Sequence, residues 1–285
     1  MTDDYFDFMH SIDQARGREN NPYSGGSGTL TAGLIKPARM YQVFITGYSV
    51  TTLIGLFLAY SRGWEVFLFG CIGVLSAYFY TAPPVRYGYH GFGEISQLIN
   101  FSLIIGLGSY FVIAQELSWE MVWVVLPLGF MMFSMITINE IPDESMDNAG
   151  NKRTLVVKFG IQKAIKLYKF SVAAAYLIII IGPILKITSP WVYLTLITIP
   201  WFYRAYKIVN MHYHDPVLLS PANMYTIKMH NMLGILSIIA YMIQGIENQG
   251  TFVPMVVPFL TMIVLYLPVF LTVFVKVLPI NATEH

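Results

Sequence analysis

The chain has 285 residues, of which 55% are hydrophobic and only 12% are charged. Soluble domains carry roughly 25% charged residues, so this composition predicts that much of the surface lies in lipid rather than in water. The formal net charge is +1, which excludes a general electrostatic attraction to nucleic acid, and nothing in the residue pattern indicates an obligate protein partner.

Apolar stretches of about 20 residues are typical of transmembrane helices. The sequence therefore predicts an all-α fold, a polytopic transmembrane helical bundle of about eight spans that forms a single membrane-embedded domain over residues 1–285. In chain order, the predicted spans are 38–60, 64–82, 95–114, 121–138, 164–185, 191–209, 227–244 and 253–277.

The distribution of Lys and Arg predicts the orientation, because cytoplasmic loops are enriched in both. If the connections alternate between the two sides, Arg62 and Lys186 lie on one side and the other 15 of the 17 basic residues lie on the opposite side. The basic side is predicted to face the cytoplasm. The chain is accordingly expected to be an integral protein of the cytoplasmic membrane.

An acidic segment, "DDYFDFMHSID", lies within residues 1–37 on the predicted cytoplasmic side. Asp4 and Asp7 are three residues apart and share one face if the segment is helical. Asp13 joins them if the chain then turns. A solvated loop is the alternative reading of so many charges.

A second acidic segment, "NEIPDESMDNAGNKRTL", follows the fourth span and opens a predicted cytoplasmic segment over 139–160. Asn139, Asp143 and Asp147 are spaced four apart, as on one face of a helix. Pro142 cannot donate to the preceding turn, so a new helical segment is predicted to start near it, with Asn139 contributed by the last turn of the span.

Two dense sets of carboxylates on one side of the membrane repel each other unless a cation neutralises them. Mg²⁺ prefers oxygen ligands and often takes one or two carboxylates together with substrate phosphate. Mg²⁺ bridging a diphosphate is therefore the predicted occupant, and Lys152 and Arg153 are predicted to face the leaving phosphate oxygens.

Both segments resemble the two signatures of the UbiA superfamily of membrane prenyltransferases. The second is N-x-x-x-D-x-x-x-D ending in G-N-K-R-T-L-V-V-K-F-G, and the first is D-D-Y-F-D followed by G-G-S-G-T-L-T-A-G-L-I-K-P. The glycine-rich tract at 25–28 and Y-G-Y-H-G-F-G-E at 87–94 are most similar to the 1,4-dihydroxy-2-naphthoate polyprenyltransferases of menaquinone synthesis.

The resemblance implies a helical bundle whose cavity opens to the membrane and receives a polyprenyl diphosphate. It implies that Asp143, Asp147, Asp4 and Asp7 bind Mg²⁺ and act in catalysis. It assigns substrate binding to Asn139, Lys152, Arg153 and Asp13. An aromatic acceptor, 1,4-dihydroxy-2-naphthoate, would attack the allylic carbon and lose CO₂.

The resemblance also leaves alternatives. Members of the superfamily normally have one full span and most of a second before the first motif, so an N-terminally truncated chain is expected here. Another acceptor, such as 4-hydroxybenzoate or a lipid ether precursor, fits the same motifs. A membrane transporter is a less favoured class, because transporters place ionisable residues in mid-span. Glu94 is expected to cap its own helix or to touch substrate, and the His212–Asp215 stretch is read as a connection rather than a metal site.

Overall fold

The structure is a computed structural model that describes residues 1–10, 22–23 and 26–249. Within these residues the chain forms helices and no strand. The α-helices are α1 (Thr2–Met9), α2 (Pro37–Arg62), α3 (Trp64–Phe79), α4 (Gly93–Ile99), α5 (Gly108–Ala114), α6 (Trp119–Glu140), α7 (Glu144–Ala149), α8 (Leu155–Phe159), α9 (Ile161–Ile184), α10 (Ile199–His212) and α11 (Pro216–Gln249). A π-helical stretch, Asn100–Leu107, joins α4 to α5, and 3₁₀ helices cover Tyr87–His90 and Pro190–Thr198.

The all-α, polytopic membrane fold is confirmed. Among the described residues, five helices are long and apolar enough to cross a membrane, namely Pro37–Arg62, Gly93–Ala114, Trp119–Glu140, Ile161–Ile184 and Pro216–Asn248. The apolar helix α3 is shorter. Side chains such as Phe57 and Tyr60 on α2 are exposed, as is expected of a helix face that meets lipid.

The predicted number of eight spans is not confirmed. The predicted span 191–209 is a 3₁₀ helix followed by α10 rather than one long α-helix. Pro200 stands in the first turn of α10, where its missing N–H fits the start of a helix but not the interior. The predicted span 253–277 lies outside the described residues.

The core lies between α6, α9, α10 and α11, where Tyr168, Met131 and Leu233 are fully buried. Polar contacts cross it: the hydroxyl groups of Tyr168 and Thr226 lie 2.9 Å apart. Hydrogen bonds between helices are a common means of association in membranes, where apolar side chains gain little by leaving lipid.

Glycine allows α6 to lie directly against the Gly93–Ala114 helix. A Cβ atom on Gly129 would come within 2.6 Å of the Leu98 carbonyl oxygen, and one on Gly106 within 2.5 Å of the Val125 side chain. Close approach through small residues is typical of membrane helices. Because α6 ends where α4 begins, this contact places Glu140 beside Glu94.

Candidate active site

The described part of the first acidic segment forms α1 up to Met9, and Asp4 and Asp7 both lie on this helix. Asp7 is 1% exposed. The Asp4 carboxylate accepts the Ser27 N–H at 2.6 Å, so the glycine-rich tract supplies a donor to the acidic motif itself. Burial raises the pKa of Asp4, but the hydrogen bond from Ser27 and the terminal ammonium lower it below its ordinary value.

The second acidic segment breaks into two helices. The spanning helix α6 ends at Glu140, and α7 begins at Glu144 with Asp143 at its N-cap. Asn139 therefore lies on one helix and Asp147 on the next, and the new helix starts shortly after Pro142. Asp143 is half-buried, whereas Asp147 is 1% exposed.

Lys152 joins the two acidic segments. Asn151 adopts a left-handed backbone with φ of 57°, a conformation that Asn tolerates, and the Lys152 N–H then donates to the Asp147 carbonyl at 2.7 Å. The Lys152 ammonium donates to Asp7 at 3.1 Å, and both side chains are buried. The structure thus brings together residues 145 positions apart in the chain.

Several carboxylates surround the Lys152 ammonium. Burial alone lowers the pKa of Lys152, but three nearby carboxylates raise it well above its ordinary value. In order of decreasing effect they belong to Asp7, Asp3 and Asp147. Lys152 is therefore a fixed cation between the two motifs, which is the type of group that stabilises phosphate oxygens.

Tyr89 is a member of this cluster that residue spacing did not identify. Its hydroxyl donates to Asp7, on the oxygen that Lys152 does not use. Burial and the Asp7 charge raise the pKa of the Tyr89 phenol, so it serves as a hydrogen-bond donor. The only signal in the sequence was the 87–94 stretch, whose resemblance was noted without assigning a role to this tyrosine.

The remaining predicted substrate-binding residues differ in their placement. Asn139 lies at the end of α6, and its side-chain oxygen accepts Asn223 Nδ2 from α11 at 2.7 Å. Arg153 has an exposed side chain and contributes its backbone N–H to the Tyr89 carbonyl at 2.9 Å. Asp13 lies outside the described residues.

Glu94 is fully buried, and it does not cap its own helix. One carboxylate oxygen accepts the N–H of Leu155, the first residue of α8, at 2.5 Å. The Glu94 carboxyl also contacts that of Glu140. The second oxygen of each is buried without a donor in the described part of the chain.

The acidic side chains of the site agree in chemical type with the implied Mg²⁺, because carboxylate oxygens are the ligands that this ion prefers. The two buried oxygens of Glu94 and Glu140 that lack a donor also suit a cation. Over residues 1–10, 22–23 and 26–249, however, no group of three or more His, Cys, Asp or Glu side chains is arranged to hold a metal.

Asp215, from the histidine-containing connection, has a structural role. Its carboxylate accepts the N–H groups of Val217 at 2.9 Å and Leu218 at 3.1 Å. These contacts cap the N-terminus of α11, a common use of aspartate.

An apolar cavity of about 960 Å³ lies between α2, α3 and the Gly93–Ala114 helix. Its lining includes Phe44, Gly70 and Ile104, together with Thr2 at the start of α1. The helix that carries Asp4 and Asp7 therefore borders a cavity large enough for part of a hydrocarbon chain.

These features define a class: a polytopic helical membrane protein with acidic motifs and a buried lysine at one end of the bundle, beside an apolar cavity. Residues 12–227 match the model of the UbiA prenyltransferase family. The chain belongs to the UbiA prenyltransferase family. No solved structure gives a significant match.

Relatives with established names are similar along much of the chain. A 1,4-dihydroxy-2-naphthoate octaprenyltransferase of Bacillus subtilis is 25% identical over 207 residues, which cover 73% of this chain and 65% of the relative. A 2-carboxy-1,4-naphthoquinone phytyltransferase of Synechocystis is 25% identical over 182 residues, or 64% of this chain and 59% of the relative. The chain thus spans less than two thirds of the length of either relative.

Proposed function

We propose that this chain transfers a polyprenyl group from an allylic diphosphate to an aromatic quinone precursor, 1,4-dihydroxy-2-naphthoate, in menaquinone synthesis. The observation that carries the proposal is the buried contact between Asp7 and Lys152, which joins the two acidic motifs of a UbiA family member. The names of the similar proteins support the acceptor.

In the proposed reaction the allylic C–O bond breaks, and the diphosphate leaves with the electron pair. A ring carbon of the acceptor forms the new C–C bond, and the acceptor carboxylate is lost as CO₂. Mg²⁺, held by Asp143, Asp147, Asp4 and Asp7, would stabilise the negative charge on the departing diphosphate. Lys152 adds a preorganised cation, and Asn139 and Arg153 are proposed to bind substrate polar groups.

The apolar cavity is proposed to hold the polyprenyl chain. Its residues provide hydrocarbon surface beside α1, and a site that excludes water protects a reactive allylic cation from hydrolysis. The enzyme is proposed to lie in the cytoplasmic membrane with this site facing the cytoplasm, which is the side predicted from the basic residues.

The function is tested with the purified chain in lipid nanodiscs. Product is measured from octaprenyl diphosphate with 1,4-dihydroxy-2-naphthoate, 4-hydroxybenzoate or a glycerol phosphate ether precursor, with Mg²⁺ present or chelated. We expect prenylated naphthoate and release of both diphosphate and CO₂, lost on chelation. Product with a different acceptor would reject the menaquinone assignment, and binding of the diphosphate without any product would reject the transferase.

Replacement of Gly70 by phenylalanine is expected to shorten the donor that the enzyme accepts. Gly70 lines the cavity, and a Cβ atom there meets nothing within 4 Å, so the ring would occupy space that the hydrocarbon needs. We expect KM for octaprenyl diphosphate to rise about tenfold or more, a loss of about 1.4 kcal/mol of binding, with little change for geranyl diphosphate.

The control for this variant is Leu53→Phe on α2, which adds bulk at a position that is 67% exposed and outside the cavity lining. It should leave KM for both donors unchanged. If Gly70→Phe and Leu53→Phe behave alike, the cavity does not hold the polyprenyl chain.

A further inference from the structure

Tyr89 occupies a short loop between α3 and α4 that contacts both acidic motifs. The residue belongs to the 3₁₀ helix Tyr87–His90 and is only 5% exposed. Its side chain contacts the first acidic motif, and its backbone contacts the segment that follows the second.

The side chain holds the first motif. The Tyr89 hydroxyl donates to one Asp7 oxygen, and Lys152 donates to the other at 3.1 Å. The Lys152 ammonium also lies 5.6 Å from the centre of the Tyr89 ring, within the range of a cation–π contact. Each oxygen of the Asp7 carboxylate therefore accepts from a separate side-chain donor, and the two donors fix the orientation of the carboxylate.

The backbone holds the second motif. The Tyr89 carbonyl accepts the Arg153 N–H at 2.9 Å, and the His90 carbonyl accepts the Lys158 ammonium at 2.6 Å. Gly91 follows with φ of 71°, and a Cβ atom there would lie 2.9 Å from the Arg153 carbonyl. The loop and the 153–158 segment therefore pack with little room to shift.

We propose that Tyr89 is a positioning residue that fixes Asp7 for divalent-metal binding and holds it in register with the second acidic motif. This inference rests on the proposed function, because it assigns Asp7 to the Mg²⁺ site. A group that orients a metal ligand from behind typically affects metal affinity by 10–100-fold. Metal affinity should therefore depend on the tyrosine hydroxyl rather than on the aromatic ring.

The test is direct binding of Mn²⁺, measured by electron paramagnetic resonance on the whole chain in nanodiscs, with and without a non-hydrolysable prenyl diphosphate analogue. Tyr89→Phe removes only the hydroxyl. We expect its Mn²⁺ dissociation constant to rise 10–100-fold. Tyr87→Phe is the matched control, because the Tyr87 hydroxyl bonds to Ser76 rather than to an acidic residue, and its Mn²⁺ affinity should not change.

Asp7→Asn provides the second arm. If Tyr89 acts through Asp7, adding Tyr89→Phe to Asp7→Asn should weaken Mn²⁺ binding by less than about twofold, the limit of additivity error for independent sites. An undiminished effect in that background, or wild-type Mn²⁺ affinity in Tyr89→Phe, would overturn the inference. So would equal losses in Tyr87→Phe and Tyr89→Phe, since those indicate a general structural effect.

Three further outcomes are decisive. If Tyr89→Phe does not fold, fluorotyrosine at position 89 keeps the size and the hydroxyl but makes a stronger donor, and unchanged Mn²⁺ affinity in that protein overturns the inference. If the unaltered chain binds no Mn²⁺ in either condition, the inference is also rejected. Mn²⁺ binding that responds to Tyr89 without prenylation of any acceptor would support the inference and reject the proposed function.

Discussion

Replacement of Asp147 by asparagine is expected to reduce prenyl transfer by about 10²–10³-fold, the loss typical of removing one charge-stabilising group from an active site. The Asp147 side chain is 1% exposed, and its backbone carbonyl already accepts the Lys152 N–H at 2.7 Å. Because the backbone is held independently of the carboxylate, asparagine should keep the local fold and remove the charge. The measurement is the initial rate of product formation, with thermal unfolding as a check on folding.

The matched control is Glu144→Gln, which removes a half-buried charge from the first turn of the same helix, α7. Its rate is expected to stay within about threefold of the unaltered protein, a barrier change of roughly 0.7 kcal/mol. If Asp147→Asn retains near-normal turnover with Mg²⁺, Asp147 is not a metal ligand. If Glu144→Gln loses as much activity as Asp147→Asn, general negative charge rather than a ligand at Asp147 explains the motif.

The helices that carry these residues could largely be predicted from the sequence. The unbroken apolar run over 121–138 predicted α6, and Pro142 predicted that a new helix would follow it. The predicted span 191–209 is not one long α-helix, because apolar composition does not specify the local backbone geometry. Residues 191–209 are as apolar as a span, yet Pro200 and the 3₁₀ stretch Pro190–Thr198 give a different helix, because hydrophobicity alone does not distinguish backbone types.

The composition of the candidate site could be predicted only in part. Spacing along one segment predicted that Asp143 and Asp147 act together, but it carries no information on the contact between Asp7 and Lys152 across 145 positions. Lys152 was predicted to face phosphate, and the structure adds a contact with the Asp7 carboxylate that spacing does not show. Tyr89 and Glu140 could not be found because their roles depend on packing between distant helices, which places buried polar groups where residue spacing cannot show them.

The pair formed by Lys152 and Asp7 also predicts a large effect on stability. Lys152→Met is expected to lower the free energy of unfolding by about 3–5 kcal/mol, because it removes a buried cation that pairs with the buried Asp7 carboxylate. The measurement is unfolding by SDS titration in bicelles.

The effect of Lys152 on stability should not depend on pH near neutrality. The folded-state pKa of Lys152 is raised above its ordinary value of 10.5, so the stabilising contribution is complete below that value and is lost only as pH rises through the folded-state pKa. The difference between the two proteins should therefore be equal at pH 7 and pH 9.

The double variant Lys152→Met with Asp7→Asn distinguishes this mechanism from a simple loss of packing. Asparagine still accepts a hydrogen bond from Tyr89 but needs no counter-ion, so the double variant should recover most of the lost stability, as expected when a buried ion pair is replaced as a whole. Lys163→Met, at an exposed position on α9, should change the free energy of unfolding by less than about 0.5 kcal/mol. A double variant as unstable as Lys152→Met would show that contacts of Lys152 other than its pairing with Asp7 stabilise the junction of the two acidic motifs.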